Sequence, residues 1–273
     1  MGLRELKTWM GGSSLSGEEA LRGDSLHLSH LRRLFTPLHV SPDLRFQRPL
    51  VVLAFTNRSG STFLGQLLAS MPDLYGFRED LNHRTVASRK AALDLKSLDA
   101  YIEHVVDHQA PARARFGLKL AAEQLRLLHM TGIDGAFEYV HVIRIRRRDR
   151  VAQAVSLWTA WQTRQWTSQQ AAEDVDITYD FKSLRHHLSC VQNAESALDL
   201  ALSVLPYPVL TVEYETLCKH TEDILSALRS GLNLPECRSP ASSRTEQQSS
   251  LEKEMLVNRF REDLSREWNL ETP

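Results

Sequence analysis

Residues 49–68 read PLVVLAFTNRSGSTFLGQLL, and this stretch decides the predicted fold. The apolar run Leu50–Phe55 is rich in β-branched residues and predicts a buried strand. A polar turn follows, and the apolar spacing within Phe63–Leu68 predicts a helix. The stretch is therefore expected to form a strand, a turn and a helix in succession.

The turn between strand and helix is rich in serine and glycine and carries an arginine. Such a turn at a helix start directs free backbone N–H groups toward one point, and the helix dipole adds positive potential there. It is suited to bind an anion, usually a phosphate. The residues predicted to hold the anion are Arg58, Ser59, Gly60, Ser61 and Thr62. The alternative is a serine-rich turn that only caps its helix.

The ATP-binding form of such a turn has the pattern G-x-x-x-x-G-K-[ST]. The first glycine and the lysine of that pattern are missing here, and Arg58 supplies the positive charge instead. The predicted anion is therefore not the triphosphate of ATP.

Composition and charge narrow the class of protein. The chain has 273 residues and is 42% hydrophobic, which suffices for one large core with extensions. A formal net charge of -1 argues against a nucleic-acid binder, although the run IRIRRRDR at 143–150 is locally basic. The three cysteines form no C-x-x-C pair, which is typical of a reducing compartment. Since no apolar run approaches about 18 residues, no transmembrane segment is predicted and a cytoplasmic location is expected.

Further strands are predicted from apolar runs along the chain, with helical patterns between them. These runs cover 115–120, 137–145 and 208–215. The alternation predicts an α/β protein with a P-loop-like three-layer fold, in which helices cover both faces of a mostly parallel central sheet. Residues 1–47 are predicted to form a peripheral or mobile N-terminal arm, and 48–273 a single domain. Within that domain, 82–115 is expected to be a helical connection or lid.

A second positive loop follows the strand predicted over 137–145. Arg147, Arg148 and Asp149 lead into a helix, and Asp149 can cap its first turn. Ser156 lies about two helical turns further on the same face. An arginine at the loop and a serine on the helix can bind a phosphate by charge-assisted hydrogen bonds. Because ligands bind at the carboxyl ends of parallel strands, the two loops predict one ligand with two separated anionic groups.

Several stretches resemble one family of enzymes. They are RSGST at 58–62, Glu79, FGLKL at 116–120, VAQAVSLWTAWQTRQW at 151–166, EQQSS at 246–250 and NRFRED at 258–263. In these stretches the chain resembles the bacterial carbohydrate sulfotransferases typified by trehalose 2-sulfotransferase. The resemblance covers residues 50–263, which is nearly all of the predicted core.

The resemblance implies a sulfuryl donor, 3′-phosphoadenosine 5′-phosphosulfate (PAPS). By the same resemblance, the loop 58–62 holds the 5′-phosphosulfate, and Arg147 and Ser156 bind the 3′-phosphate. Gln248 and Arg259 in the C-terminal segment are implied as further contacts. No metal is implied, because cationic side chains supply the charge stabilisation.

The acceptor implied by the resemblance is a hydroxyl of a carbohydrate or glycolipid-like small molecule. Glu79 falls at the family's position for the general base, and Asp80 beside it is a rival. The segment 82–115 lies on the acceptor side. Trehalose itself does not follow as the acceptor, because this segment is shorter than in the trehalose enzyme.

The arginine that binds the 3′-phosphate is not fixed by the sequence. The family has proline after this arginine, where the chain has Arg148, so Arg147 and Arg148 are interchangeable candidates. The function is also open to two rival interpretations, a small-molecule kinase of the P-loop type and a non-catalytic nucleotide-binding protein of the same fold. The sequence allows a homodimer as well.

Overall fold

The computed structural model describes residues 26–166, 170, 177–235 and 251–270. The strands are β1 (Leu50–Ala54), β2 (Leu74–Arg78), β3 (Arg115–Leu120), β4 (Val140–Arg146) and β5 (Val209–Glu213). The helices are α1 (Leu26–Leu34), α2 (Ser61–Ala69), α3 (His83–Leu93), α4 (Leu98–Gln109), α5 (Ala122–Met130), α6 (Arg150–Thr163), α7 (Phe181–Val204), α8 (Tyr214–Lys219), α9 (Thr221–Gly231) and α10 (Leu251–Leu270). A short 3-10 helix covers Asp134–Ala136.

The strands form one five-stranded sheet in the order β2-β3-β1-β4-β5. Every pairing in it is parallel. The central strand is β1, in which Leu50 pairs with Phe116 on one side and with Val140 on the other. The carboxyl ends of β1, β3 and β4 therefore meet at one edge of the sheet, where ligands of parallel sheets bind.

Alternate residues of β1 point into two different cores. Leu50, Val52 and Ala54 pack with residues of α1, α4, α5 and α7. The residues between and after them, Val51, Leu53 and Phe55, pack with residues of α2, α8 and α9. A strand covered on both faces must be apolar at every position, which explains the unbroken run that begins at Leu50. The predicted three-layer α/β fold is confirmed.

The described part of the predicted N-terminal arm belongs to the core and is not peripheral. Leu28, Leu31 and Phe35 recur at helical spacing and are buried in the cluster beneath β1. His27 on α1 is also fully buried, and its Nδ1 lies 3.0 Å from Nδ1 of His83 on α3. Residues 1–25 of the predicted arm lie outside the described residues.

The predicted helical connection over 82–115 consists of two helices, α3 and α4. Asp94 ends α3 in the left-handed region with φ 52°, and the Ser97 side chain caps α4 by accepting from the Ala100 N–H. Tyr101 and Ile102 of α4 are buried in the core, so this segment is packed against the sheet. Among the described residues, no helix combines the length and the apolar character needed to cross a membrane.

Candidate active site

The loop after β1 forms the tight turn that the sequence predicts. It leads into α2, which begins at Ser61. Arg58 and Gly60 both adopt left-handed backbone conformations, with φ 62° and 93°. A Cβ on Gly60 would lie 2.3 Å from Cδ2 of Tyr214, so only glycine fits there. Ser59 is buried, and its Oγ has no hydrogen-bond partner among the described residues.

The Arg58 side chain connects this loop to α6. Its Nε donates a hydrogen bond to Oγ of Ser156 over 2.9 Å, and Nη1 donates to the Trp166 carbonyl. Burial and the nearby charge of Arg147 lower the pKa of Arg58 to about 10. The loop after β1 is therefore in direct contact with the helix that follows the second predicted anion loop, as one ligand with two anionic groups would require.

Two further cations lie close to Arg58. The Arg147 guanidinium lies over the Tyr214 ring, 5.2 Å from its centroid, and within the described ranges its buried Nε has no hydrogen-bond partner. Lys253 reaches the site from α10. Burial and the positive charges of Arg58 and Arg147 lower its pKa to about 8. Burial and nearby positive charge thus disfavour the charged forms of Arg58 and Lys253, and an anion bound beside them would relieve this repulsion.

The packing of α10 against α6 explains how Lys253 reaches this position. Arg261 binds the carboxylate of Asp149, the residue that caps α6. Val257, one turn before Arg261, packs in a cluster with Val155 of α6. Lys253 is one turn earlier still and lies on the same face of α10. The face of α10 that packs on α6 therefore carries Lys253, which lies near enough to Arg58 and Arg147 to feel their charges.

Arg148 lies in a different environment from Arg147. It is exposed, and its Nε is 3.4 Å from Oε2 of Glu213 and 3.9 Å from Oε2 of Glu215. The backbone N–H groups of Arg148 and Asp149 also donate to the Glu215 carboxylate. Arg148 is thus paired with carboxylates at the surface, whereas Arg147 is one of the three positive groups that lie together with Arg58 and Lys253.

Glu79 lies directly after β2, at the same edge of the sheet. Its Oε1 is 2.9 Å from Nζ of Lys119, on the neighbouring strand β3. The same Nζ lies 3.5 Å from Oγ1 of Thr62 and 4.7 Å from the centroid of the Phe55 ring. Because the Glu79 side chain is 38% exposed, a carboxylate accessible to a ligand lies beside the first loop.

Asp80 is only 1% exposed and has its own partners. Its Oδ1 accepts from Nη1 of Arg89 over 2.7 Å, and its Oδ2 accepts from Nε2 of Gln109 over 3.0 Å. The hydroxyl of Tyr101 donates to its backbone carbonyl. Asp80 therefore fastens α3 and α4 to the end of β2.

Sequence reasoning missed Lys253 and Tyr214. Neither stands in a recognisable motif, and both matter through contacts with distant parts of the chain. Arg259, which the resemblance implied as a contact, lies over the Tyr179 ring at 3.8 Å from its centroid. Gln248 lies outside the described residues. Within the ranges described, there is no group of three or more histidine, cysteine, aspartate or glutamate side chains that could hold a metal ion.

Solved structures with a similar fold include sulfotransferases. The sulfotransferase domain of the Synechococcus PCC 7002 olefin synthase has 16% identity and a TM-score of 0.52, with 82% of this chain and 90% of that one covered. A sulfotransferase from Alicyclobacillus acidocaldarius has 13% identity and a TM-score of 0.48, with 80% and 94% covered. At such identities the first likeness concerns the fold alone. No curated protein matches the sequence significantly.

Family membership follows from the sequence itself. The family model described as Stf0 sulphotransferase matches residues 50–263. This range begins with β1, includes both loops and Glu79, and ends within α10. The family predicted from the sequence motifs is thereby confirmed. Since the match covers well over half of the chain, the protein belongs to the Stf0 sulphotransferase family and is a sulfotransferase.

Proposed function

We propose that this sulfotransferase moves a sulfuryl group from PAPS to a hydroxyl of a carbohydrate or glycolipid-like acceptor, with Glu79 as the general base. The observation that carries the proposal is the 2.9 Å ion pair between Glu79 and Lys119. Lys119 also approaches Thr62 of the first loop. A partly exposed carboxylate is thereby linked to the loop that suits an anionic donor.

The described residues fit a donor with two anionic groups. Ser59 Oγ and Arg147 Nε are buried, and neither has a hydrogen-bond partner in the described part of the chain. Buried polar groups normally have partners, so both atoms are suited to bind ligand oxygens. The loop 58–62 would hold the 5′-phosphosulfate, Arg147 and Ser156 the 3′-phosphate, and Lys253 would add positive charge beside them. When bound, PAPS would supply the activated sulfuryl group.

Glu79 would accept the proton of the acceptor hydroxyl as that oxygen attacks the sulfur. A carboxylate positioned within hydrogen-bond reach is a common general base. Lys119 orients the Glu79 carboxylate toward the loop. Asp80 is the poorer candidate, because it is buried and both of its oxygens already accept hydrogen bonds.

The first loop would stabilise the negative charge that develops on the leaving side of the reaction. Backbone N–H groups at the start of α2 and the Arg58 guanidinium are fixed before the reaction starts, and such preorganised donors contribute strongly to catalysis. The sulfuryl group would pass from the phosphate oxygen of the donor to the acceptor oxygen, and the proton of the acceptor hydroxyl would go to Glu79.

The acceptor class is supported by the resemblance of residues 151–166 to the carbohydrate sulfotransferases. The end of that stretch lies beside the first loop, because the Trp166 carbonyl accepts a hydrogen bond from Arg58. Aromatic and amide side chains such as those of Trp166 and Gln165 suit contacts with sugars.

A cytoplasmic location stays a prediction from composition.

The experiment that tests the donor is a calorimetric titration of the protein with 3′-phosphoadenosine 5′-phosphate (PAP), 5′-AMP and Mg-ATP. We expect PAP to bind most tightly, because only PAP carries both phosphate groups that the site accommodates. If the protein bound Mg-ATP but did not bind PAP, the proposal would be contradicted and a small-molecule kinase would be favoured. Tight PAP binding with no transfer to any sugar or glycolipid hydroxyl would favour a non-catalytic nucleotide-binding protein.

A further inference from the structure

A buried carboxylate on α7 contacts the start of the first loop. The Thr56 hydroxyl donates a hydrogen bond to Oε1 of Glu195 over 2.5 Å, although the two residues are 139 positions apart. Thr56 is 2% exposed and Glu195 is 6% exposed. Glu195 has no part in the proton or charge transfers proposed for the reaction. Its contact is nonetheless made two residues before Arg58.

Gln153 of α6 extends this contact to the loop backbone. Its Nε2 donates to Oγ1 of Thr56 over 3.0 Å and to the carbonyl of Asn57 over 2.8 Å. Because the Thr56 hydroxyl gives its hydrogen to Glu195, its oxygen is free to accept from Gln153. The Oε1 of Gln153 accepts from Nη1 of Arg150 over 3.0 Å. Both ends of the amide are thus held.

Two arginines hold the other oxygen of the carboxylate. Oε2 of Glu195 accepts from Nη2 of Arg144 over 3.1 Å and from Nη2 of Arg150 over 2.8 Å. Charge-assisted hydrogen bonds of this kind offset the penalty for burying a carboxylate. Glu195 is therefore fixed in position and can act as a rigid support.

The segment that Glu195 and Gln153 hold, Thr56 and Asn57, is where the loop turns. The Asn57 carbonyl belongs to the peptide bond that precedes Arg58, where the backbone has φ 62°. The Ser59 N–H donates to the Thr56 carbonyl over 3.2 Å and closes the turn. A non-glycine residue persists in this region only when its surroundings hold it there.

We infer that Glu195 is a positioning residue for the first loop. Through Thr56 and Gln153 it orients the peptide before Arg58, and it thereby sets the affinity of the loop for the donor without contacting the donor. This inference rests on the proposed function of the loop 58–62. Its physical basis is preorganisation, since a loop held in its binding conformation loses less entropy when the ligand binds.

The test compares Glu195→Gln with Asp199→Asn in the full chain. Asp199 lies one turn further along α7 and also pairs with Arg144. Its side chain is 58% exposed, so it lies at the solvent-facing end of the hydrogen-bond network around Glu195. PAP is the probe, and calorimetry measures its Kd well below the Tm of each variant. We expect Glu195→Gln to raise the Kd at least about tenfold, because a small misplacement of binding groups has a large effect. Asp199→Asn should leave it near the wild-type value.

Thr56→Val provides a second variant, which keeps the shape of the side chain and removes the hydroxyl. It should weaken PAP binding to a similar degree, and amide exchange should accelerate in 57–62 and stay unchanged in β3. If Glu195 had a purely structural role, the variants would have a lower Tm but the Kd of the folded protein for PAP would be unchanged. Wild-type PAP affinity in Thr56→Val would overturn the inference, even if Glu195→Gln did not fold. If the wild-type protein failed to bind PAP, the proposed function itself would be wrong, which is a distinct result.

Discussion

The Nε of Arg58 donates a hydrogen bond to Oγ of Ser156 over 2.9 Å, across 98 positions of sequence. The first residue belongs to the loop after β1, and the second lies about two turns into α6. This contact joins the two predicted anion loops at the carboxyl edge of the sheet. A ligand bound to one loop therefore lies next to the other.

Replacement of Glu79 by glutamine should abolish most of the transfer activity. The amide keeps the shape of the side chain but cannot accept the proton, so we expect the rate to fall about 10²–10⁴-fold. PAP affinity should stay unchanged, and rate assays with calorimetry measure both. Asp80→Asn serves as the neighbouring control, and it should mainly lower the Tm because it breaks a buried pair with Arg89. A large loss of PAP affinity in Glu79→Gln would instead identify Glu79 as a ligand contact.

Adjacent arginines should differ in their effect on nucleotide binding. Arg147→Ala should weaken PAP binding about 10–100-fold, because it removes charge-assisted hydrogen bonds to the 3′-phosphate. The same substitution should affect 5′-AMP far less. Arg148→Ala is the matched control and should change neither affinity, since Arg148 is paired with Glu213 at the surface. Equal weakening of PAP and 5′-AMP in Arg147→Ala would place the 3′-phosphate site elsewhere.

Donor affinity should fall as the pH rises above about 8, the pKa to which Lys253 is lowered. An anion stabilises the charged ammonium and raises its pKa, so the complex holds more protons than the free protein above this pH. Below it Lys253 is protonated in both states, and affinity should be level. The Kd of PAP measured between about pH 7 and 9 should show this profile.

The control for this pH profile is Lys253→Met, which keeps the apolar part of the side chain. In that variant the dependence above about pH 8 should flatten, and affinity below it should drop. An unchanged profile would show that the pH effect comes from another group. Calorimetry in buffers of different ionisation enthalpy should detect proton uptake when PAP binds to the wild-type protein. The Lys253→Met variant should show no such uptake.

Gly60→Ala should destabilise the fold by about 1–3 kcal/mol and weaken donor binding. The new methyl group would meet the Tyr214 ring, and the residue would keep a φ of 93°. Urea unfolding measures the change in stability. Gly135→Ala is the control, because a Cβ there meets nothing within 4 Å.

A double variant separates the two causes of this loss. Adding Tyr214→Ala to Gly60→Ala should restore the part of the lost stability that is due to the clash with the Tyr214 ring. The part that is due to backbone strain at position 60 should remain. The stability of the Tyr214→Ala single variant provides the reference. If Gly60→Ala cost as much stability in the Tyr214→Ala background as in the wild type, the whole loss would come from the backbone conformation.

The sequence by itself determined the features that depend on neighbours along the chain. The apolar run from Leu50, the serine and glycine turn at 58–62 and the helical spacing after it are local patterns, and local patterns set strand, turn and helix. Alternation of such units then implied the parallel three-layer sheet. The family motifs, from the loop through Glu79 to 151–166, were readable for the same reason.

Only the tertiary structure showed how the environments of two adjacent residues differ. Glu79 and Asp80, and likewise Arg147 and Arg148, are chemically alike and consecutive, so the sequence separates them only by their resemblance to family positions and says nothing of their partners. Their environments come from distant partners: Lys119 for Glu79 and Gln109 for Asp80. The same holds for Lys253, Tyr214 and Glu195, which no motif marks. Burial and charge pairing depend on the whole fold, because the interacting groups lie tens of residues apart in the chain.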